Sequence, residues 1–519
     1  MASDTTASPE ALGEVTGQSA SLTQGQRIAI LFMVVLSATL YSTSILITAA
    51  VLPQLQGAMS ATADEISWTM TFNILATAVV TPVTGWLAGH YGRRTLLSLS
   101  VGLFSLATYG CGAAGSLEEL IFWRIVQGAA GASLPPLAQT IVFCTFPKRQ
   151  HGVVIGLYGI GVVMGAFLGP MIGGVMAEYY SWRWAFYILV PVSALATVGL
   201  RLVMPPDDEK THVRLNWTGF LLLSISIACV QLVLSRGQRL DWFDSPEIIA
   251  ETFIAALAFY LFLTHSLTSE RPFLNLRLLL NRNYAIGLIL VTIYGMLNFT
   301  PMVILPGLLR DYVGFPDSLV GYVVGSRGIG AMCAFFTAMF IGQKYPRKSI
   351  LAGFLAQVTA GLWLMSFDLN VTPLILIVNG IVQGFAVGLI WVPLTVVTFS
   401  TIKPQDMDET SAVYHLLRNI GSSFFISMTV TQIVRSTAMN YEHMTELISP
   451  FNPSLLMPWV MGAWDLDRLQ DLALLSKEIS RQAAMISYLN AFGLYTLASA
   501  VAIPLILLVA KPGKAAAAR

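Results

Sequence analysis

Arg124, Arg327 and Arg418 each stand in a long stretch that is otherwise almost free of charge. A guanidinium keeps its proton under all ordinary conditions, so an apolar setting forces it to find carbonyls, an anion or water. No carboxylate lies near the middle of any apolar stretch. Glu251, Asp406, Asp408 and Glu409 sit nearer the ends. His415 lies one turn before Arg418, and histidine is the side chain whose ordinary pKa, about 6.5, suits a proton carrier. The candidates for proton coupling or gating are therefore Arg124, Gln127, Glu251, Asp408, Glu409, His415 and Arg418. For each acid and for the histidine, an ordinary polar residue at a membrane interface is the competing reading. For Arg124, beside Phe122 and Trp123, it is a side chain snorkelling to the helix end. A cavity richer in arginine than in acids would attract anionic or amphipathic compounds better than simple cations.

The elements that must position these groups are long and apolar. The chain has 519 residues, 55% hydrophobic and only 11% charged. About a quarter charged would be typical of a soluble globular domain, so the composition is that of an integral membrane protein. A membrane helix needs about 20 mainly apolar residues. Fourteen such candidates lie near 28–50, 66–88, 95–115, 120–144, 152–176, 184–203, 216–235, 247–267, 284–308, 319–342, 349–367, 372–399, 410–434 and 487–510. The first is too long for a cleavable signal peptide and lacks a basic start. The polar leader 1–27 reads as disordered. Most basic residues, among them Arg93, Arg94, Lys148, Arg149, Lys344, Arg347 and Lys348, fall on one set of connections. By the positive-inside rule that set is cytoplasmic, and an even number of spans puts both termini there.

Several functions are excluded. The four cysteines and six histidines are scattered, which leaves no disulfide framework, metal site or HExxH. No GxxxxGK[ST] loop exists for an ATP-driven pump. The net charge of +1 argues against nucleic-acid binding. No cofactor is expected, and a membrane enzyme would need a paired nucleophile and base that the chain does not show.

An internal repeat gives the architecture. Ile125-Val126-Gln127-Gly128 returns as Ile381-Val382-Gln383-Gly384, each followed by a Pro-Leu pair (Pro136-Leu137, Pro393-Leu394). His90-Tyr91-Gly92-Arg93-Arg94-Thr95 returns as Lys344-Tyr345-Pro346-Arg347-Lys348-Ser349 at nearly the same offset. The second half thus repeats the first eight spans later in the same orientation. Fourteen spans divide as six, two and six, a transporter plan. The expected units are a leader 1–27, a six-helix half 28–203, two extra helices in 204–270, a second six-helix half 271–510 with an outer loop 435–486, and a cytoplasmic tail 511–519.

Three motifs carry a family resemblance. Gly85-Trp86-Leu87-Ala88-Gly89-His90-Tyr91-Gly92-Arg93-Arg94 closes the second span. Arg124-Ile125-Val126-Gln127-Gly128 lies in the fourth. Gly165-Ala166-Phe167-Leu168-Gly169-Pro170-Met171-Ile172-Gly173-Gly174 lies in the fifth. Together they resemble the major facilitator superfamily, whose loop hallmark is similar to the first and whose antiporter signature is similar to the third. Gly89 and His90 replace the usual Asp and Arg of that loop, and the basic pair would still meet helix ends, whose carbonyls favour cations. Trp182-Arg183-Trp184-Ala185-Phe186-Tyr187-Ile188-Leu189-Val190-Pro191 resembles a signature of the fourteen-span drug/proton antiporters, the EmrB/QacA-type group, with Leu189 in place of Asn. Further stretches resemble its EmrB-like branch, so the resemblance covers about residues 28–510. It implies an all-α integral membrane protein of the bacterial inner membrane with the major facilitator fold. It also implies alternating access, antiport of amphipathic compounds against protons, and a conformational role for Gly85, Gly92, Arg93, Arg94, Gly165, Gly169, Pro170, Gly173 and Gly174. The first span departs from the group: Ser44 stands where its usual Asp would be.

Tyr41, Ser44, Asn73, Tyr294, Asn298, Phe299 and Arg327 are candidates to line a substrate cavity between the halves, with helix packing or lipid contact as the alternative. Residues 464–486 mix apolar and charged groups at helical spacing. They read as an amphipathic helix that docks a periplasmic adaptor and outer-membrane channel of a tripartite pump, as the resemblance implies, or that lies on the protein itself or on lipid. The expected function is multidrug efflux. The alternatives are export of a specific metabolite or organic acid with atypical coupling, and a non-transporting sensor or scaffold.

Overall fold

A computed structural model describes residues 22–206, 214–449, 452–453, 457 and 468–508. The leader before residue 22, the tail 511–519 and most of 450–467 lie outside the described residues, as do the expectations made for them. Among the described residues every regular element is helical.

The helices are α1 (Gln24–Ala50), α2 (Leu52–Ala58), α3 (Ala63–Val80), α4 (Thr84–Tyr91), α5 (Arg93–Ala113), α6 (Leu117–Gly131), α7 (Leu134–Thr145), α8 (His151–Tyr179), α9 (Trp182–Tyr187) and α10 (Leu189–Val203). Then come α11 (Trp217–Arg236), α12 (Pro246–Thr268), α13 (Arg282–Gly307), α14 (Asp317–Lys344), α15 (Pro346–Leu364), α16 (Pro373–Phe399), α17 (Met407–Glu446) and α18 (Leu469–Leu507). Among the described residues eleven helical segments are long and apolar enough to cross a membrane. Of the other long segments, α6 and α7 are each short alone, and α15 and α17 are more polar.

Local chemistry sets the boundaries. Thr23 caps α1 by accepting from the Gln26 N–H at 3.3 Å, while Gln26 Oε1 accepts from the Thr23 N–H at 3.0 Å. Thr62 and Glu65 repeat the arrangement on α3. Between α4 and α5 the chain turns at Gly92 with φ +91°, a region that L side chains rarely adopt. The fourth expected span breaks between α6 and α7 at Ala132–Ser133, because Pro135 and Pro136 supply no N–H to the preceding turn. Its repeat counterpart α16 carries the single Pro393 without interruption. The sixth expected span is divided at Ile188 into α9 and α10. The ninth ends in a π-helical turn, Leu308–Val313, closed by Gly314 with φ +84°.

The outer segment differs from the expected loop 435–486. Helix α17 runs on to Glu446 and α18 begins at Leu469, so both flanks are helical. They pack against each other: Asn440 Nδ2 donates to Ser487 Oγ at 3.2 Å, and Tyr441 Oη lies 2.9 Å from Ser476 Oγ. The face of α18 with Leu475, Ala483, Ala484 and Met485 is buried on the protein itself.

Within the bundle α1 packs on α8, α3 on α6, and α5 on α6 and α10. Farther along, α13 packs on α17, α14 on α16, α15 on α16 and α18, and α17 on α18. Contacts between these groups run from α8 to α14 and α16, and from α17 to α4 and α7. Helices α11 and α12 pair with each other, and α11 touches both α3 and α17. The outside of the bundle exposes large apolar side chains such as Leu195, Leu202, Phe253, Tyr260 and Phe340. Apolar residues on a helix exterior face lipid, not water.

Candidate functional site: the surface between helix groups

The polar contacts between α17 and the first helix group are concentrated where α17 begins, at the end of the bundle that carries the Gly92 turn. Arg93 donates through Nε to Asp408 Oδ1 and Oδ2 at 3.1 and 2.9 Å and through Nη2 to the Pro404 carbonyl at 3.3 Å. Its Nη2 also lies 2.8 Å from Asp408 Oδ2. Fork-on-carboxylate geometry of this kind gives direction as well as charge. Arg94 donates to the Arg201 carbonyl near the end of α10. Gly85 lets α4 approach the start of α17 closely, because a Cβ there would lie 2.9 Å from Glu409 Cα. Glu409 accepts from the Asn275 N–H.

One turn deeper, Ser411 Oγ donates to the Pro136 carbonyl at 3.0 Å and Thr140 Oγ1 to the Met407 carbonyl at 3.4 Å. Deeper again, His415 Nε2 meets Gln139 Oε1 at 2.8 Å, both side chains fully buried. Around them lie Trp391, 6.2 Å from the His415 ring, Tyr414 at 5.7 Å, and Arg418, whose guanidinium carbon is 5.5 Å from the Trp391 ring. Tyr294 stands 5.1 Å from Trp391. This cluster joins His415, Arg418 and Tyr294 with Gln139, Trp391 and Tyr414, which sequence reasoning missed. The partners Gln139 and His415 are 276 residues apart. The only local signal was a glutamine just after Pro135-Pro136 in an apolar stretch.

Arg124 is 1% exposed and faces the interior, which removes the snorkelling alternative. It donates to the Thr69 carbonyl at 3.4 Å and to Gln127 Oε1, and lies 3.6 Å from Met70 Sδ. Gln127 passes a hydrogen bond to Thr108 Oγ1 at 2.8 Å, and Asn73 donates to the Arg124 carbonyl at 2.8 Å. Arg327 is buried in α14 and donates to the Leu297 carbonyl at 3.1 Å. Its position and that of Asn73 are related by the 254-residue offset that relates Tyr345 to Tyr91. Arg124 corresponds in turn to Gly380, at the offset of the Ile-Val-Gln-Gly repeat. Each group of helices thus buries one arginine, on different members of the corresponding helix pairs, α3–α6 and α14–α16.

Among the described residues no Asp or Glu is buried. Glu251 stands away from the His415 cluster, 3.7 Å from Arg236, which also pairs with Glu247 and lies 4.8 Å from the Trp68 ring. Tyr41 and Ser44 are buried on α1, while Asn298 and Phe299 are half-buried on α13. Gly165, Gly169 and Gly173 form one stripe facing Thr39, Thr43 and Ile47 of α1; a Cβ on Gly169 would lie 2.8 Å from the Thr43 carbonyl. Gly174 faces open space, and α8 continues through the exposed Pro170.

A lipid-facing bundle of two helix groups with polar residues buried between them is a plan of multi-pass membrane transporters. The chain belongs to the Major Facilitator Superfamily, whose pattern matches residues 31–426. It is similar to the multidrug export protein EmrB of Escherichia coli, 28% identical with 88% of each chain covered. It is similar to the fatty acid resistance protein FarB of Neisseria gonorrhoeae, 25% identical with 93% of this chain and 94% of that one covered. Among solved structures it resembles the proton:xylose symporter XylE, with a TM-score of 0.59 at 13% identity over 92% of this chain and 95% of that one. At that identity the likeness speaks for the fold alone.

Proposed function

We propose that this protein is a secondary active multidrug exporter of the inner membrane that exchanges amphipathic compounds for protons by alternating access. The observation that carries the reading is the one-ended seal. The polar contacts of α17 with α5 and α7, and the close approach of Gly85 on α4, gather toward the Gly92 end, as in a bundle closed on one side. The names of EmrB and FarB support export of drugs and of fatty-acid-like compounds. The buried Arg124 and Arg327 and the partly buried Arg418 favour amphipathic molecules with an acidic group.

In this reading the Gly92 end faces the cytoplasm, as its basic residues suggest, and both termini lie there. Fourteen segments cross the membrane, with α6–α7, α15 and α17 completing the eleven apolar ones. The halves are α1–α10 and α13–α18, and α11–α12 are inserted between them. The matched Asn73 and Arg327 positions support that division. Arg93, Arg94, Asp408, Gly85 and Gly92 serve the seal. Arg124, Gln127 and Arg327 hold the halves' interiors. Tyr41, Ser44, Asn73, Tyr294, Asn298 and Phe299 belong to the cavity or its walls. Glu251 works with Arg236 at the hairpin and is no longer a leading coupling candidate. The exposed face of α18 near Leu469 and Leu474 is the candidate surface for a periplasmic adaptor.

Purified protein in liposomes, given an inward-directed proton gradient, should expel a fluorescent amphipathic dye, and a protonophore should abolish the movement. Efflux that persists without any proton gradient would exclude the coupling. No efflux of cationic or acidic dyes would exclude the exporter.

A further inference from the structure

Arg327 differs from the other arginines of the interior in one respect: it is buried and still has an open corner. Arg124 gives all three of its nitrogens to partners, and Arg418 is partly exposed and donates to Asn419. Arg327 is only 7% exposed. Its Nη2 donates to the Leu297 carbonyl at 3.1 Å, which is free because Pro301, one turn on, has no N–H to offer it. Its Nη1 is buried and has no hydrogen-bond partner. The repeat explains why that corner is open. In the first helix group Arg124 Nη1 is met by Gln127 Oε1. The counterpart of Gln127 is Gln383, and its amide serves a neighbour instead. Asn379 Nδ2 donates to the Ala360 carbonyl at 3.0 Å, so Asn379 turns its oxygen to Gln383, whose Nε2 donates to it at 2.6 Å. Arg327, Asn379 and Gln383 line one crevice, walled by apolar side chains such as Met302, Val324 and Leu376. Each of the two amide nitrogens keeps a second hydrogen to donate. Close backbone contact fixes the walls, since a Cβ on Gly384 of α16 would collide with the Arg327 carbonyl of α14.

We propose that the Arg327 crevice is a binding site for a small monovalent anion, chloride in ordinary media, held by Arg327 Nη1 with the amide N–H groups of Asn379 and Gln383. Room sets the size of the occupant. The cavity is about 10 Å³, space for one water-sized group, and a carboxylate with a tail does not fit it. Charge sets its sign. Among the described residues no Asp or Glu lines the crevice. A water molecule there would satisfy the Nη1 hydrogens but leave a positive charge uncompensated among apolar walls, whereas an anion satisfies them and cancels the charge. The bound ion neutralises the buried arginine of the second helix group and ties α14 to α16 through one point. Leu364, which ends α15, and Leu376, near the start of α16, carry the crevice toward the end opposite the Gly92 turn, and the ion enters from that side. The site does not depend on what the protein exports.

The test uses the purified full-length protein in gluconate medium, titrated with radiolabelled chloride in a scintillation proximity assay. Wild type should bind chloride saturably, with a stoichiometry approaching one ion per chain. Bromide should displace it, and gluconate or sulfate at equal ionic strength should not. The melting temperature should rise with chloride concentration, as for any ligand that binds only the folded state. Arg327→Gln removes the charge and should weaken chloride binding at least about tenfold. Gln383→Glu keeps the arginine and places a carboxylate inside the crevice. It should lose chloride binding to a similar extent and melt at the same temperature with or without chloride. Absence of saturable binding in wild type, the result for a crevice that holds only water, would overturn the proposal. Unchanged affinity in either variant would do the same, as would displacement by gluconate as effective as by bromide. If Arg327→Gln does not yield monodisperse protein, Gln383→Glu decides alone, because it fills the site without leaving the arginine uncompensated.

Discussion

Asp408 and Arg93 meet with both charges partly exposed, so their pairing contributes little to overall stability. Its value lies in direction, because it joins α5 to α17 at the sealed end. Asp408→Asn should lower dye export about tenfold while leaving the melting temperature within a degree or two, and the exchange Arg93→Asp with Asp408→Arg should recover part of the loss. Initial efflux rates of the two variants check this. Arg124 is a different case: three separate groups receive its fork, and lysine offers a single point charge. Arg124→Lys should therefore lose at least about tenfold in transport, read as efflux at matched protein density. At this scale the sequence showed which residues were unusual, the inward arginines and His415. It hid their partners, because Gln139 and His415 are brought together only by the meeting of α7 and α17.

Helices were legible where their chemistry was apolar and less so where it was not. The helices α1 and α3 begin a few residues before the expected 28 and 66, because Thr23 with Gln26 and Thr62 with Glu65 cap them, and the chain turns at Gly92 with a backbone angle that glycine adopts freely. The extension of α17 to Glu446 was concealed because residues 435–446 are mostly polar and look like loop. They stay helical by packing on α18, a tertiary cause no local window contains. The glycine stripe of α8 was readable as a close-packing signal but its direction was not. It faces α1, within the first helix group, so its role is to bring those two backbones together. Gly169→Leu should force α1 and α8 apart and cost about 1–3 kcal/mol, the usual penalty of overpacking. Gly174→Ala, which meets nothing within 4 Å, should be neutral. Thermal unfolding of the two variants side by side tests the assignment of faces.

For the molecule as a whole, the repeat predicted paired units, and the structure adds how they touch. Gly85 of α4 lies against the start of α17, and Gly156 of α8 against Met339 of α14, so small residues mark both lines of contact between the groups. Helix α11 reaches both α3 and α17, with Gln231 Nε2 donating to Ser423 Oγ at 2.9 Å. Any rocking of one group against the other must stretch or carry this strut. Gln231→Leu should therefore raise the rate of exchange between the two arrangements more than it changes their populations, read by single-molecule fluorescence across the same seal.

The exchange of arginine between α6 in one group and α14 in the other has an electrical consequence. Two fixed positive charges are buried in the bundle and a third, on Arg418, is partly buried, with no buried acid among the described residues to cancel them. Moving one elementary charge through the whole membrane field is worth about 2.3 kcal/mol per 100 mV. Even a small displacement of these groups as the bundle rocks would make the resting voltage part of the driving force. A capacitive current should accompany reorientation on a solid-supported membrane, including with an uncharged cargo.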